Sequence, residues 1–132
     1  MYKIAMSSSA SACPVILVVE DEVLIRFDVA DMLRESGFEV FEASDAQEAL
    51  ATLQSAERID LVFSDIQMPG AINGLGLAAH IMTNHPGVRV ILTSGASLVM
   101  EMDATLAALA PIEPKPYDPQ EILTRIRATL AT

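Results

Sequence analysis

Acidic side chains follow two apolar segments that have the length of buried β-strands. Val15 to Val19 is followed by the three acids Glu20 to Glu22, and Leu61 to Ser64 is followed by Asp65. A continuous, β-branched apolar run is typical of a strand that is buried on both faces of a parallel sheet. Because the carboxyl ends of parallel strands meet at one edge of the sheet, we expect these acids to lie close together there.

A cluster of carboxylates at a sheet edge predicts a metal site. Like charges raise one another's pKa and weaken the fold unless a cation joins them. Glu20, Asp21 and Asp65 offer only oxygen ligands, with no His or Cys nearby, and this favours Mg²⁺. Alternatively, the acids are solvated loop residues, or an acidic first helical turn that the helix dipole favours. That alternative does not explain why a second strand also ends in an acid.

Two more side chains are expected at the same edge. Thr93 ends a strand that begins at Arg89, and Lys115 ends a short proline-rich segment. Phosphoryl transfer requires an oxygen nucleophile, a metal ion, a positive charge on the phosphoryl oxygens and hydrogen-bond donors. Asp65, Mg²⁺, Lys115 and Thr93 would supply these in turn. Each residue alone has an ordinary structural explanation, but together they predict phosphoryl transfer to Asp65.

The elements that would position these residues alternate between strand and helix. Helical spacing occurs from Val23 to Ser36, after the capping pattern Ser44 to Gln47, and in three later segments: Leu75 to Asn84, Leu98 to Leu109, and after Asp118. Five strand–helix units specify an α/β fold, a parallel sheet with helices on both faces. The flavodoxin-like, doubly wound strand order 2-1-3-4-5 would place the first and third strands side by side.

The first predicted helix divides into two faces. Val23, Phe27, Ala30 and Leu33 are spaced three and four residues apart and form its apolar face, whereas Arg26 belongs to the polar face. The next segment, Phe38 to Ala43, predicts a short outer strand.

Composition limits the classes of function. The 132 residues fit one domain, which we expect to span residues 14–132 after a disordered, Ser- and Ala-rich lead-in at residues 1–13. The net charge of −10 argues against nonspecific binding to nucleic acid or anionic membranes. No apolar run approaches the roughly 20 residues of a membrane span. The single cysteine cannot form an internal disulfide. We expect a cytoplasmic protein.

At this point the chain resembles the receiver domain of two-component response regulators. The motifs that carry the resemblance are Val18-Val19-Glu20-Asp21-Glu22, Ser64-Asp65-Ile66-Gln67-Met68-Pro69, Leu92-Thr93-Ser94-Gly95 and Lys115-Pro116-Tyr117. They match the family in order and spacing, and the resemblance covers about residues 14–131.

The resemblance implies a role for each residue of the metal site. Asp65 would be the phosphoacceptor. Asp21 would be a direct ligand of Mg²⁺, and Glu20 would act mainly through water. The backbone carbonyl of Gln67 would be a further protein ligand.

The resemblance also implies the remaining roles and the partner. Thr93 would be the switch hydroxyl, and Lys115 would contact the phosphoryl group. Such a domain takes that group from a phosphohistidine on a histidine kinase or histidine phosphotransfer protein, and water later removes it. It is a phosphoacceptor that assists its own phosphorylation and dephosphorylation, not an enzyme. His80 and His85 are predicted to be surface residues, since neither lies at the strand-end edge.

Three features depart from the family pattern. The loop after Asp65 is one residue longer than usual and has Asn73 where Asp is common. Ile112 stands where the family usually has Tyr or Phe. Three prolines flank the fifth strand, in the face that receivers often use to dimerise or bind targets, formed with the fourth and fifth predicted helices. We therefore expect intact chemistry at Asp65 with an altered readout.

The leading hypothesis is a free-standing receiver, because the last predicted helix ends at the C-terminus. It would signal by contact with a downstream protein or serve as a phosphoryl shuttle, and it could form a homodimer through the face just described. The alternative is a receiver-like interaction module that works without phosphorylation. A phosphatase with an aspartyl nucleophile would need an acid two residues after Asp65, where Gln67 stands.

Overall fold

The structure is a computed structural model that describes residues 13–56, 58–68, 70–94, 112–114 and 119–131. Its elements follow the predicted alternation: β1 (Val15–Val19), α1 (Val23–Glu35), β2 (Glu39–Ala43), α2 (Ala46–Ser55), β3 (Leu61–Asp65), α3 (Gly74–Asn84), β4 (Arg89–Ser94), β5 (Ile112–Pro114) and α4 (Pro119–Leu130). Residues 1–12, the helix predicted from Leu98 to Leu109, and Lys115 lie outside the described residues.

All neighbouring strands are parallel, and their order is β2-β1-β3-β4-β5. The predicted order 2-1-3-4 is confirmed, and in the structure β5 lies beside β4. Val19 pairs with Ser64, and Asp65 pairs with Thr93. The strands β1, β3 and β4 therefore end within two residues of one another, and Glu20, the residue after Val19, comes level with Asp65.

Two apolar cores cover the two faces of the sheet. One packs α2 and α3 against alternate residues of β1, including Leu17. The other packs α1 and α4 against the intervening residues, including Ile16 and Val18. Every residue of β1 and β3 is buried, as expected for central strands of a sheet covered on both faces. The predicted doubly wound α/β architecture is therefore confirmed.

Local signals place the ends of the helices. Gly37, with φ of 99°, follows α1 in the left-handed region that glycine tolerates best. Asp45 is the N-cap of α2, and its side chain accepts a hydrogen bond from the backbone N–H of Glu48. In turn, a carboxylate oxygen of Glu48 accepts from the backbone N–H and the hydroxyl of Ser44. The helix cap therefore lies one residue later than the predicted Ser44 to Gln47 pattern, with Asp45 and Glu48 in the places predicted for Ser44 and Gln47.

Helix α1 bears out half of the apolar face predicted for it, since Ala30 and Leu33 are buried but Val23 and Phe27 are not. Its buried residues are Val29, Ala30 and Leu33, whereas Val23 and Phe27 are about half exposed. The helix begins beside the edge of the sheet, so its first turns extend past the core and the apolar stripe is displaced from the predicted positions. Arg26, predicted on the polar face, has a side chain that is only 14% exposed.

Candidate functional site

The three carboxylates predicted to cluster do so. One oxygen of each of Glu20, Asp21 and Asp65 lies within 4.8 Å of the others. Glu20 and Asp65 are buried, at 4% and 6% exposure, and Asp21 is exposed to solvent. The cluster forms because β1 and β3 are adjacent and end at the same level. Two acids are therefore held in the rim of the sheet while the third faces outward.

The backbone around Asp65 is held by several hydrogen bonds. The N–H of Gln67 donates to Asp65 Oδ1 at 3.2 Å, and the hydroxyl of Ser64 donates to the carbonyl oxygen of Asp65 at 2.9 Å. The N–H of Ile66 continues the ladder to the carbonyl of Thr93 at 2.9 Å. The first contact orients the carboxylate, and the other two fix the end of β3 on which it sits.

Thr93 lies at the predicted edge of the sheet, and the structure places it directly beside Asp65. The two are paired in the β3–β4 register, and Thr93 is 1% exposed. Because paired residues of neighbouring strands point to the same face of a sheet, both side chains lie on one face. A buried hydroxyl is thus placed next to the predicted phosphoacceptor.

The loop from β3 to α3 passes close to the backbone of Asp65. The N–H of Gly74 donates to the carbonyl of Ile66 at 2.8 Å. A β-carbon at residue 74 would collide with the carbonyl oxygen of Asp65 and lie 2.6 Å from the α-carbon of Ile66. Only glycine fits this approach without a shift of the backbone. No pattern in the sequence around Gly74 indicates this contact.

Asn73, one of the departures from the family pattern, has a local role. It is the N-cap of α3, and its side-chain oxygen accepts from the N–H of Gly76 at 3.0 Å. Asn and Asp cap helices about equally well. The asparagine therefore preserves the helix start that an aspartate would provide.

The loop after β1 is tied to α1 through Arg26. Its guanidinium Nη1 donates to the carbonyl oxygen of Glu20 at 2.9 Å, and its Nε donates to Glu42 at 3.3 Å. The N–H of Glu20 donates to the carbonyl of Ala43 at 3.0 Å. Helical periodicity places Arg26 on the polar face, and no sequence signal indicates that its side chain turns back toward the acids.

The donor set fits a hard divalent cation. All three clustered groups provide oxygen atoms, which are the ligands that Mg²⁺ prefers. In proteins Mg²⁺ usually binds only a few carboxylates and keeps water molecules as its other ligands. Gln67 is at the site through its N–H, and the ligand role of its carbonyl stays a prediction. Lys115 lies outside the described residues, so its predicted role also stays a prediction.

The two histidines lie away from the acids. His80 is within α3 and His85 follows it, with ring centroids 5.9 Å apart. Helix α3 begins beside Asp65 and runs back toward the opposite edge of the sheet, where β4 begins. This placement agrees with the prediction that neither histidine belongs to the site.

None of the helices in the described part of the chain is long and apolar enough to span a membrane.

One family model and several known proteins match this chain. The family model "Response regulator receiver domain" matches residues 16–127. The transcriptional regulatory protein PdtaR of Mycobacterium tuberculosis is 33% identical over 117 residues, which are 88% of this chain and 56% of PdtaR. The chain therefore spans about half the length of this relative.

Solved structures of similar fold include a receiver domain protein and a response regulator. A CheY-like receiver domain protein from Methanospirillum hungatei has a TM-score of 0.80 and 29% identity, with 90% of this chain and 94% of that chain covered. The response regulator TrrA from Thermotoga maritima, crystallised in complex with Mg(2+)-BeF, has a TM-score of 0.77 and 31% identity, with 88% and 98% covered.

Proposed function

The chain belongs to the response regulator receiver domain family, and on that premise we propose that Asp65 accepts a phosphoryl group from a histidine kinase or a histidine phosphotransfer protein. The observation that carries the proposal is the cluster of Glu20, Asp21 and Asp65, with oxygen atoms within 4.8 Å of one another. The buried hydroxyl of Thr93 beside Asp65 supports it further. We take the receiver domain to span residues 14–132.

In the proposed reaction an oxygen of the Asp65 carboxylate attacks the phosphorus of a phosphohistidine. The new P–O bond forms as the P–N bond breaks, and the imidazole keeps the electron pair and takes up a proton. The N–H of Gln67 holds the carboxylate by donating to Oδ1, so less conformational freedom is lost on reaching the reactive geometry.

The cation would be held by Glu20, Asp21, Asp65 and the carbonyl of Gln67. When bound, Mg²⁺ would neutralise part of the charge on the phosphoryl oxygens and relieve the repulsion among the carboxylates. Thr93 would then donate a hydrogen bond to the phosphoryl group from the neighbouring strand, and Lys115 would contribute a positive charge.

Signalling would follow through contact between proteins. Phosphorylation has to stabilise one of two conformations for the domain to act as a switch. The net charge of −10 disfavours direct binding to nucleic acid, so we propose a downstream protein target. The dimerisation face predicted on the fifth strand and its flanking helices includes the helix predicted from Leu98 to Leu109, which lies outside the described residues, and the homodimer stays a prediction.

The test is phosphorylation by a small phosphodonor. Wild-type protein incubated with acetyl phosphate and Mg²⁺ should gain one phosphoryl group by intact-mass spectrometry, and chelation of the metal should prevent it. Asp65→Asn should gain none. Asp31→Asn is a matched control, since the Asp31 side chain is 73% exposed on α1, and it should be labelled like the wild type. Absence of labelling in the wild type would refute the proposal.

The alternative is an interaction module that works without phosphorylation. It is favoured by Ile112, which stands where receivers usually have an aromatic residue. In the structure Ile112 pairs with Leu92 of the neighbouring strand. Partner binding by phosphorylated wild-type protein and by Asp65→Asn separates the two functions. Equal affinities would favour the alternative, and a difference would favour a phosphorylation switch.

A further inference from the structure

We propose that Arg26 is a positioning residue of the divalent-cation site and that it sets the affinity of the site for Mg²⁺. The inference rests on the proposed function, because it takes Glu20, Asp21 and Asp65 to hold the cation. None of the contacts described above joins Arg26 to one of these three carboxylates. It would act through the backbone that carries two of them.

The guanidinium of Arg26 joins two acceptors on different segments. Its Nη1 donates to the carbonyl oxygen of Glu20 at 2.9 Å, and its Nε donates to Glu42 Oε1 on β2 at 3.3 Å. The side chains of Arg26 and Glu42 are 14% and 22% exposed. A planar, forked guanidinium can span two such acceptors, whereas a single ammonium group provides one centre.

The hydrogen bond to the Glu20 carbonyl fixes two acids together. This carbonyl belongs to the peptide group that joins the α-carbons of Glu20 and Asp21, and a peptide group is planar. The N–H of Glu20 is held from the other side by the carbonyl of Ala43 at 3.0 Å. The backbone at the acid pair is therefore held at a donor and at an acceptor, and the direction in which both carboxylates leave the chain is restricted.

Arg34 provides a matched comparison within the same network. Its Nη1 lies 3.1 Å from Glu42 Oε2, the oxygen that Arg26 does not use, and its Nη2 donates to the carbonyl of Val40 at 3.0 Å. Arg34 thus shares the charge, the residue type and the Glu42 partner of Arg26. The two differ in the contact with Glu20.

Charge and position predict opposite effects for Arg26. A guanidinium near three carboxylates repels a cation, so by charge alone its removal would tighten Mg²⁺ binding. If Arg26 acts by positioning, its removal loosens the acid pair and weakens Mg²⁺ binding. The sign of the change in affinity therefore distinguishes the two effects.

The experiment measures Mg²⁺ affinity by isothermal titration calorimetry, without a phosphodonor, for wild type, Arg26→Gln and Arg34→Gln. We expect Arg26→Gln to raise the dissociation constant roughly tenfold, the lower end of the range for groups that orient metal ligands. Arg34→Gln should stay near the wild-type value. Thermal unfolding of both variants in the absence of Mg²⁺ records any general loss of stability.

The proposal would be overturned if Arg26→Gln bound Mg²⁺ as tightly as Arg34→Gln, or more tightly. If Arg26→Gln does not fold, Arg26→Lys replaces it, since lysine keeps the charge but loses the fork. Affinity should fall in this variant as well, and a wild-type value would overturn the proposal. Wild-type protein that binds no Mg²⁺ would instead refute the proposed function on which the inference rests.

Discussion

Substitution of Gly74 by alanine tests whether the β3–α3 loop must approach the phosphoacceptor as closely as the structure shows. The new β-carbon would collide with the carbonyl oxygen of Asp65, and it would lie 2.6 Å from the α-carbon of Ile66 and 2.9 Å from the carbonyl carbon of Asp65. All three are backbone atoms. They cannot rotate out of the way, so the loop or the end of β3 has to move.

The size of the effect follows from this contact. Overpacking in a tight region costs about 1–3 kcal/mol of unfolding free energy. The gain in helix propensity from glycine to alanine offsets less than the full ~1 kcal/mol, because residue 74 is in the first turn of α3. A shift of about 1 Å at the reacting carboxylate is enough to slow a reaction by about 100-fold.

Gly76→Ala is the control in the same helix. Its β-carbon would meet the Cγ2 methyl group of Ile72 at 2.9 Å, and this side chain is 38% exposed, so it has room to move by rotation about its Cα–Cβ bond. This variant should be neutral or slightly more stable than wild type.

The assay combines urea unfolding, followed by far-UV circular dichroism, with the initial rate of labelling by acetyl phosphate in Mg²⁺. We expect Gly74→Ala to lose both stability and labelling rate, and Gly76→Ala to lose neither. If Gly74→Ala matched Gly76→Ala in both measurements, the close approach to Asp65 would have no consequence and the reasoning would be wrong.

Three further predictions concern the cation, the sheet and pH. Mg²⁺ at 100 times its dissociation constant should raise the unfolding free energy of the wild type by about 2.7 kcal/mol. The same Mg²⁺ concentration should raise the unfolding free energy of Asp21→Asn by less, and an equal rise would mean that the cation binds elsewhere. Asp60→Ala should lower the free energy of unfolding in urea by about 1–2 kcal/mol, because Asp60 Oδ2 accepts a hydrogen bond from the N–H of Val15 at 2.7 Å. The labelling rate of this variant should be unchanged, since the contact lies at the opposite edge of the sheet from Asp65. The hydrogen bonds from the N–H and hydroxyl of Ser44 lower the pKa of Glu48 below its ordinary value of 4.5. The unfolded state therefore binds the proton more readily, and the stabilisation is present above that value and lost as the pH falls through the lower, folded pKa. Glu48→Gln should accordingly be less stable than wild type at neutral pH, with the difference vanishing in acid, and a difference that persists there would contradict the assignment.

The main elements of the fold could be predicted because their signals are local. The β-branched run of β1 and the apolar residues of β3 indicate buried strands, and strict alternation with helices specifies a parallel sheet. Such sheets bind ligands where their strands end, and this rule predicts that Glu20, Asp21 and Asp65 lie together. Their clustering in the structure agrees with this prediction.

The contacts that support the site were not predictable in the same way. Helical periodicity placed Arg26 on the polar face of α1, but its long side chain lies back along the helix and reaches the carbonyl of Glu20. Periodicity reports the direction of the β-carbon and not where a flexible side chain ends. Val23 and Phe27 are exposed for a related reason: only the part of a helix that lies over the face of the sheet buries its apolar stripe, and periodicity does not say where that part begins.

By itself, the sequence determined which chemical groups are available and which strand ends carry them, because residue type and strand period are local properties. Tertiary structure alone decided how those groups are held. The register of β3 and β4 sets Thr93 beside Asp65 and joins segments that are distant in the chain. Two other contacts depend on how α3 and α1 pack on the sheet: the approach of Gly74 to the Asp65 carbonyl and the hydrogen bond from Arg26 to Glu20. Such contacts depend on distances between packed elements, and a linear pattern of residue types does not contain those distances.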